Sequence, residues 1–432
     1  MDMIYLEKKP NHTKKIFGRR TFSRRDFLKY TGAIAGLYFA GPLINCPFLA
    51  WAGDRPRVIS IHDPDATNYD YVTGYHWEYI NQNVVNNMMT QGVMALTGKT
   101  NRADAWKSLI PYNSGEVIVI KINLNNSRDC DGNLNKINTQ VETINAIIDG
   151  LTSMGVPGDN IWITDPSRRI SDRFQGGISN PYIHYYSKDS CTGANYHSVD
   201  YVDPDSPDAS VATCPAGEKI LPSQVFVEAD HLINVPLLKS HGAYVTLALK
   251  NHYGSVIYEN FTRSEMHAYF NEGKNSAGCD LNKMNILADI NNNPHIKDKT
   301  RLVIGDGLFG NAHTHWLETR TWEIFGNDDS NLLFFSKDPV AISSVMADYI
   351  MAERGWQDHE QLHAAASMGL GVHDHWDSFK SKNYSLIDYI PIDLDNPKVN
   401  RLDIDRSIRD LKAGSASEKE VKETITRYME GI

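Results

Sequence analysis

Short runs rich in valine and isoleucine alternate with stretches of helical periodicity, and this alternation constrains the fold more than any other feature of the sequence. Residues 116–124 have the continuous apolar pattern of a buried parallel strand. A capping-box spacing at residues 139–142 and apolar residues at helical intervals up to Gly155 predict a helix after it. Residues 160–164 then predict the next strand. Because strand, helix and strand in this order form a right-handed crossover, we expect an α/β fold with a mainly parallel central sheet flanked by helices.

The same alternation extends over most of the chain, so we expect residues 53–432 to form a single α/β domain. Residues 57–62 predict a first strand. Asp338 and Pro339 supply an N-cap and a first-turn proline for a helix that runs to about residue 354. A second capping box at residues 417–420 predicts a C-terminal helix that packs on the body. Further apolar runs predict strands at residues 224–229, 231–235, 301–304 and 332–336.

Residues 166–222 interrupt this alternation. They are crowded with Ser, Gly, Asn, Asp, Pro and Tyr and show no sustained periodicity. We therefore predict a long loop-rich insertion over one edge of the sheet, and long ordered loops are often functional. Its tyrosine-rich part, at about residues 181–203, is a candidate surface for recognition of a protein or a glycan.

The first 52 residues have the pattern of an export signal. Arg24 and Arg25 precede a modest apolar run, which ends in the small-x-small sequence Ala50-Trp51-Ala52. This pattern predicts a twin-arginine signal peptide over residues 1–52, the twin-arginine translocation machinery as a partner during export, and a periplasmic or other extracytoplasmic location. A retained membrane anchor is the alternative. The apolar run is short and interrupted by glycine, whereas a spanning helix needs about twenty apolar residues, so we expect no stable membrane span in the mature form.

Charge argues against nucleic acid as a partner. Residues 53–432 contain 34 Lys and Arg against 50 Asp and Glu, a formal net charge of −16. Such a surface repels a phosphate backbone, and no basic cluster remains to override it.

The cysteines indicate disulfides rather than a metal cluster. Cys130, Cys191, Cys214 and Cys279 remain after the predicted signal peptide, and none belongs to a C-x-x-C pair, so the spacing predicts neither an iron–sulfur cluster nor a structural zinc site. Four cysteines in an oxidising compartment permit two disulfides with three connectivities. We expect Cys191 to pair with Cys214 because both lie in one loop-like region, and four buried free thiols remain the alternative.

The densest group of reactive residue types lies at residues 234–254. An apolar run ends there in Lys239 and His241, and Lys250 follows soon after. Open α/β sheets place their ligand sites at such strand ends. Lysines and amides would hold an anion, and His241 could act as an acid, a base or a metal ligand. In the structural alternative the lysines are solvated and His241 caps a turn.

This region carries a resemblance. Residues 230–256 resemble the hallmark segment of family 362 of the domains of unknown function, with its lysine, nearby histidine and threonine, and a Lys-Asn followed by glycine. Residues 120–124 resemble the first lysine-asparagine strand of that family, and residues 306–310 resemble its Asp-Gly segment. The resemblance implies an α/β fold but no common reaction. Many relatives have an aspartate where this chain has Ser343, and many carry ferredoxin-like cysteine motifs that are missing here, so no electron-transfer role is implied.

Two histidine pairs are candidate ligands of a divalent metal. In each pair the imidazoles are two residues apart, which places them on the same side of an extended segment. The pairs are His313 with His315 and His373 with His375. Because the chain contains 16 histidines, chance pairs are the alternative. The sequence lacks a Gly-x-Ser-x-Gly elbow, a phosphate-binding glycine loop and a dinucleotide fingerprint, which disfavours serine hydrolases and nucleotide-dependent enzymes.

Together these features predict an exported protein that binds a small anionic ligand at the carboxyl edge of the sheet. A divalent metal is a candidate cofactor, and metal-assisted catalysis is a candidate activity. The residues predicted to neutralise the ligand are Lys121, Lys239 and Lys250, and those predicted to orient it are Asn123, Asn234 and Asn251. His241 is predicted to transfer a proton or bind metal, with Asp306 as its partner. The alternative function is a non-catalytic binding or assembly protein of the cell envelope that uses the tyrosine-rich insertion.

Overall fold

A large central sheet organises the part of the chain that the structure, a computed structural model, describes. The described residues are 55–127, 129–132, 135–188, 191, 193, 195–241, 244–270, 278–313, 318–355, 359–395 and 401–431. Arg55–Ile432 forms one compact unit. The predicted signal peptide at residues 1–52 lies outside the described residues.

The strands and helices follow the predicted alternation. The strands are β1 (Arg57–His62), β2 (Ile118–Lys121), β3 (Ile161–Asp165), β4 (His184–Ser187), β5 (Tyr196–Ser198), β6 (Ser210–Val211), β7 (Lys219–Pro222), β8 (His231–Asn234), β9 (Leu237–His241), β10 (Tyr244–Val245), β11 (Val256–Tyr258), β12 (Thr300–Asn311), β13 (Leu332–Ser336) and β14 (Asp388–Asp393). The α-helices are α1 (Gln82–Thr97), α2 (Arg102–Leu109), α3 (Val141–Ser153), α4 (Asp172–Gly177), α5 (Gln224–Glu228), α6 (Leu247–Asn251), α7 (Arg263–Met266), α8 (Ile286–Asn291), α9 (Pro294–Lys297), α10 (Pro339–Arg354), α11 (Glu360–Ser367), α12 (Arg401–Lys412) and α13 (Glu418–Gly431).

The central sheet is mainly parallel, as predicted. Its strand order is β14-β1-β13-β12-β8-β2-β3-β4-β5. Among the strands in this order, only β13 is antiparallel to its neighbours, which are β1 and β12. The remaining pairs are parallel. β9 joins β12 in parallel, and β10 pairs with β9 in the antiparallel direction.

Helices cover both faces of this sheet because apolar side chains point alternately to either side of each strand. In β1, Ile59 and Ile61 join a core that includes α1, α2 and α3. Val58, whose side chain points to the opposite face of the strand, joins a second core with α10 and α11. Gly305 of β12 allows α10 to approach closely, since a Cβ atom there would lie 2.7 Å from the sulfur of Met346.

Two of the predicted helix starts are confirmed. The Asp338 side chain accepts hydrogen bonds of 2.8 Å from the amides of Val340 and Ala341 at the start of α10. Ser417 and Glu420 form a reciprocal capping box at the start of α13, with each side chain accepting from the other residue's amide. Helix α13 packs against α12.

Two local predictions are wrong. Gln224–Glu228 forms helix α5 and not a strand, since a short apolar run does not distinguish the two by periodicity alone. The capping box at residues 139–142 does not form. Thr139 Oγ1 instead accepts a 2.8 Å hydrogen bond from the amide of Asn123, and α3 starts with Gln140 as an N-cap without a side-chain bond.

The insertion at residues 166–222 supplies strands as well as loops. Strands β4 and β5 extend the central sheet beyond β3, and β6 and β7 form a small second sheet with β11. Its tyrosines are largely packed: Tyr185 is buried, and Tyr201 donates a 3.0 Å hydrogen bond to the carbonyl of Pro166. Tyr182, in contrast, is 62% exposed. The described tyrosines of this segment therefore differ in burial, and its use as a contact surface stays a prediction.

The disulfides correct the expected pairing of Cys191 with Cys214. Cys130 pairs with Cys191, with 5.3 Å between their Cα atoms, and Cys214 pairs with Cys279 at 6.4 Å. Each bridge joins the insertion to a loop elsewhere in the chain, which sequence proximity does not indicate. Among the described helices, none is both long and apolar enough to cross a bilayer.

Candidate functional site

Three polar side chains lie side by side at the carboxyl ends of parallel strands. Lys121 ends β2, Asp165 ends β3 and Asn234 ends β8. Lys121 is in register with Asn234 on one side and with Thr164 on the other. This edge of the sheet is where open α/β folds place ligands, as the sequence predicted.

Lys121 is held in a buried ion pair. Its ammonium donates to the carbonyl of Ile122 and, at 3.4 Å, to Oδ1 of Asn251. Oδ2 of Asp165 lies 3.7 Å from Lys121 Nζ and also accepts a 2.8 Å bond from the amide of Leu124. Burial raises the pKa of Asp165, but Lys121 and this amide outweigh it and hold the pKa below its ordinary value. The carboxylate therefore stays ionised and balances Lys121.

The predicted ligand-orienting amides complete this network. Nδ2 of Asn251 donates to Oδ1 of Asn234 at 2.7 Å, and Nδ2 of Asn234 donates to the carbonyl of Ala248 at 3.0 Å. Both side chains are buried. Since Ala248 and Asn251 belong to α6, these bonds fasten that short helix to the ends of β2 and β8. In the structure Lys121, Asn234 and Asn251 thus position α6.

Helix α6 starts in a strained conformation. Leu247, its first residue, has a φ of 32°. Non-glycine residues at positive φ persist only where the surroundings hold them, and they concentrate at functional sites. Here the Ser343 hydroxyl accepts a 3.2 Å bond from the amide of Ala248, and the amide of Thr246 donates to the carbonyl of Lys239 at 2.9 Å. Ser343 therefore anchors the start of α6.

Lys239 and Lys250 are buried, so their solvation, the structural alternative, is wrong. Lys239 is 0% exposed and Lys250 is 7% exposed. Lys250 Nζ lies 4.8 Å from the centre of the Phe270 ring. Burial lowers the pKa of Lys239 to about 8. Burial, together with the charge of Lys239, lowers the pKa of Lys250 well below its ordinary value.

A chain of aromatic rings and histidines leads from Phe270, next to Lys250, to His241. The ring of half-buried His241 lies 6.2 Å from that of His267. His267 contacts Phe270 at 4.9 Å, and its Nδ1 lies 3.2 Å from the hydroxyl of Tyr253. Tyr253, His267 and Phe270 were not predicted as site residues. Tyr253 lies inside the reactive segment and could have been found there, whereas His267 and Phe270 follow no motif.

Asp306 contacts the start of α3 among the described residues, and its partnership with His241 stays a prediction. Its carboxylate accepts bonds from the amide of Gln140 at 2.8 Å and from that of Leu308 at 3.4 Å. Asp306 therefore accepts from an amide at the start of α3, where the predicted capping box does not form. Burial raises the pKa of Asp306 to about 7.

Asn123 is also outside the lysine cluster. Its Oδ1 accepts a 3.2 Å bond from the amide of Asn125, and its backbone bonds to Thr139. This arrangement closes the turn after β2. The predicted role of Asn123 in orienting a ligand has no contact that supports it among the described residues.

The two histidine pairs differ. His315 lies outside the described residues, and Nε2 of exposed His313 lies 3.7 Å from Oε1 of Glu353. The rings of His373 and His375 are 4.7 Å apart. Nδ1 of His373 lies 2.8 Å from the Ser344 hydroxyl, and Nδ1 of His375 lies 2.7 Å from Oδ1 of buried Asp348. Within the described ranges, no three His, Cys, Asp or Glu side chains form a ready metal shell.

An open cavity of about 710 Å³ lies away from the lysines. Its lining includes Tyr69, Tyr71, His313, Arg320 and Glu353, and none of the three buried lysines contributes to it. We place the candidate site at the lysines, because the polar network and the strained helix start converge there and not at this cavity.

Comparison with known protein families identifies a family for this chain. A family model described as "Domain of unknown function (DUF362)" matches residues 118–348. The match spans β2, β8, β9, α6 and β12, which carry the network and both lysines. No curated protein matches the chain.

Proposed function

The chain belongs to the DUF362 family of unknown function, and we propose from its geometry that it binds a small anionic ligand at the carboxyl edge of the central sheet. The observation that carries this proposal is the burial of two lysines where the parallel strands end, Lys239 on β9 and Lys250 on α6. A buried ammonium is costly unless negative charge stabilises it. An anionic ligand bound at this edge would add negative charge of that kind.

The roles of the residues follow from their positions. Lys239 and Lys250 neutralise the ligand. His241, which is half-buried on the same strand as Lys239, serves as the proton-transfer group. Asn234 and Asn251 act at a distance from the ligand, by fixing α6.

Calorimetric titration of the full-length chain with inorganic phosphate and with pyruvate tests this proposal. We expect Lys239→Met and Lys250→Met each to weaken binding at least about tenfold, since each removes a charge-assisted contact. Lys422→Met is the matched control because it removes one positive charge from an exposed position. Equal affinity in all three variants would contradict the proposal, as would the absence of binding by the unaltered chain.

A divalent metal at His373 and His375 is a second candidate function. The supporting observation is that Ser344 and buried Asp348 hold the Nδ1 atoms, the arrangement that orients metal-binding imidazoles through their Nε2 atoms. Water or the bound anion would supply the remaining ligands. Elemental analysis should find a divalent metal that His375→Ala removes and His313→Ala retains. Metal-free native protein, or equal retention in both variants, would reject the site.

We also propose that the chain is exported by the twin-arginine route. Arg24 and Arg25 support this proposal, and two disulfides fit an oxidising compartment. In cell fractionation, replacing both arginines with lysine should leave the protein in the cytoplasm. Unchanged export of that variant would contradict the route.

A further inference from the structure

Two strands of the insertion bring a pair of histidines together at the edge of the central sheet. His184 lies on β4, and His197 lies on β5, the last strand of the sheet order. Because Tyr186 is in register with His197, His184 is a diagonal neighbour of His197 on the same face of the sheet. Nδ1 of His184 lies 3.0 Å from Nε2 of His197. Both histidines are half-buried, so solvent and small ions can reach the paired nitrogens.

Neighbouring groups orient the two rings. The ring of Tyr186 stacks on that of His197 with 4.7 Å between centroids, and the ring of Trp162 on β3 packs against Tyr186 at 4.6 Å. Oδ1 of exposed Asp159 lies 3.8 Å from Nε2 of His184. The charge of this carboxylate favours a hydrogen on Nε2, which leaves the lone pair of Nδ1 on the side of His197. A carboxylate behind the imidazole is the arrangement that orients metal-binding histidines.

His231 shows that a carboxylate beside a histidine does not by itself make a metal ligand. Nε2 of buried His231 lies 2.9 Å from Oε2 of Glu116, and its Nδ1 accepts a 3.1 Å bond from Nε of Arg301. Both nitrogens of His231 are therefore used to hold the fold together. In His184, by contrast, the nitrogen opposite the carboxylate faces a second imidazole, that of His197.

We infer that His184 and His197 together bind a divalent transition-metal ion, with copper(II) as the preferred ion. An imidazole nitrogen binds such an ion at about 2.0–2.1 Å, so two nitrogens 3.0 Å apart subtend an angle of about 90° at the metal. Square-planar and tetragonal sites of copper(II) and nickel(II) have this angle, whereas zinc prefers the wider tetrahedral angle, and copper(II) binds most tightly in the first-row series. Water completes the coordination, since no ready shell of three protein ligands occurs among the described residues.

Calorimetric titration of the full-length chain with copper(II) tests the inference. We expect His184→Gln and His197→Gln each to weaken the binding of one copper ion at least about tenfold, because each removes one of the two protein ligands. His295→Gln is the matched control, since His295 is also half-buried and its Nε2 lies 2.8 Å from a carboxylate, that of Asp208. This control should bind copper as tightly as the unaltered chain. The same titrations on the His375→Ala chain remove the second candidate metal site from the comparison.

Chemical protection of the unaltered chain gives a second measurement, which does not depend on the folding of a variant. The chain is treated with diethyl pyrocarbonate, which modifies accessible imidazole nitrogens, and the products are located by peptide mass mapping. Copper(II) should protect His184 and His197 and leave the modification of His295 unchanged. Equal copper affinity in all three glutamine variants, or modification of the pair that copper does not reduce, overturns the inference. Loss of copper binding in His375→Ala alone assigns the metal to the other histidine pair and likewise overturns it.

Discussion

Two buried lysine sites lie at the same edge of the sheet, and they differ in what surrounds the amine. Around Lys121, the acceptors of Asp165, Ile122 and Asn251 satisfy the ammonium. Around Lys250 lie the face of the Phe270 ring and the charge of Lys239. Burial lowers the pKa of both lysines, but only at Lys121 does a neighbouring carboxylate, Asp165, oppose this effect among the groups named here. The comparison teaches that the position of a lysine at a strand end does not by itself make it a binding group, because its neighbours also determine its role.

Replacement of Lys121 or of Lys250 with methionine should give the largest difference between the two sites, measured as unfolding free energy. Lys121→Met leaves Asp165 buried and ionised, and breaking a buried pair in this way costs about 3–5 kcal/mol of unfolding free energy. Lys250→Met removes a cation that burial disfavours, so its unfolding free energy should be unchanged within about 1 kcal/mol or should increase. Chemical denaturation measures both values. Equal losses in the two variants would erase the distinction.

Two buried carboxylates, Asp306 and Asp165, should change the stability of the protein with pH in opposite directions. Because burial raises the pKa of Asp306 to about 7, the folded state holds this proton more tightly than the unfolded chain, whose aspartates titrate near about 3.9. The unfolding free energy should therefore fall by up to about 4 kcal/mol as pH rises from about 4 to 7. Asp165, with a lowered pKa, has the opposite sign and loses its contribution as the solution becomes acidic.

The variant Asp306→Asn should remove the loss of stability between about pH 4 and 7. Asp205→Asn, at an exposed position, is the control and should leave the profile unchanged. Denaturation at a series of pH values measures the slope. A profile of Asp306→Asn that parallels that of the unaltered chain would show that Asp306 titrates normally.

The link between the two lysine sites is Asn251. Replacing it with leucine leaves Oδ1 of Asn234 and the Lys121 ammonium without one partner each, which should cost about 1–3 kcal/mol. Because α6 then loses its attachment, phosphate affinity should fall although Lys239 and Lys250 are intact. Denaturation and calorimetry measure the two effects. A less stable variant with full affinity would show that Lys250 does not depend on the network.

The smallest expected effect is at Ser343. Ser343→Ala removes the hydroxyl that accepts from the amide of Ala248, and the cost should be about 1 kcal/mol. Ser344→Ala on the same helix is the neighbour control, since its hydroxyl faces His373 and not α6. If the Ser343 variant weakens phosphate binding and the Ser344 variant does not, the anchoring role is specific.

The sequence was sufficient for the central strands of the sheet and for the location of its polar edge, but it did not predict β4, β5 or β14. Short apolar runs identified β1, β2, β3, β8 and β13, because strands buried on both faces leave a continuous apolar signal. Caps identified α10 and α13, because Asp338, Ser417 and Glu420 act within a few residues of the helix start.

Long-range partners were not predictable in the same way. The acceptor at the start of α3 is Asp306, which is 166 positions away from Gln140, and no local pattern indicates it. The disulfide pairing failed for the same reason, since each bridge spans more than sixty residues.

The central claim is that Lys239 and Lys250 form a receptor for negative charge, whereas Lys121 is already neutralised. Titration of the lysine ζ-nitrogens by ¹⁵N NMR, with and without phosphate, tests it most directly. The account predicts that the pKa of Lys250 lies well below the ordinary value of about 10.4 and that phosphate raises it, while the Lys121 signal does not move. A Lys250 signal that titrates normally and ignores phosphate would contradict the account.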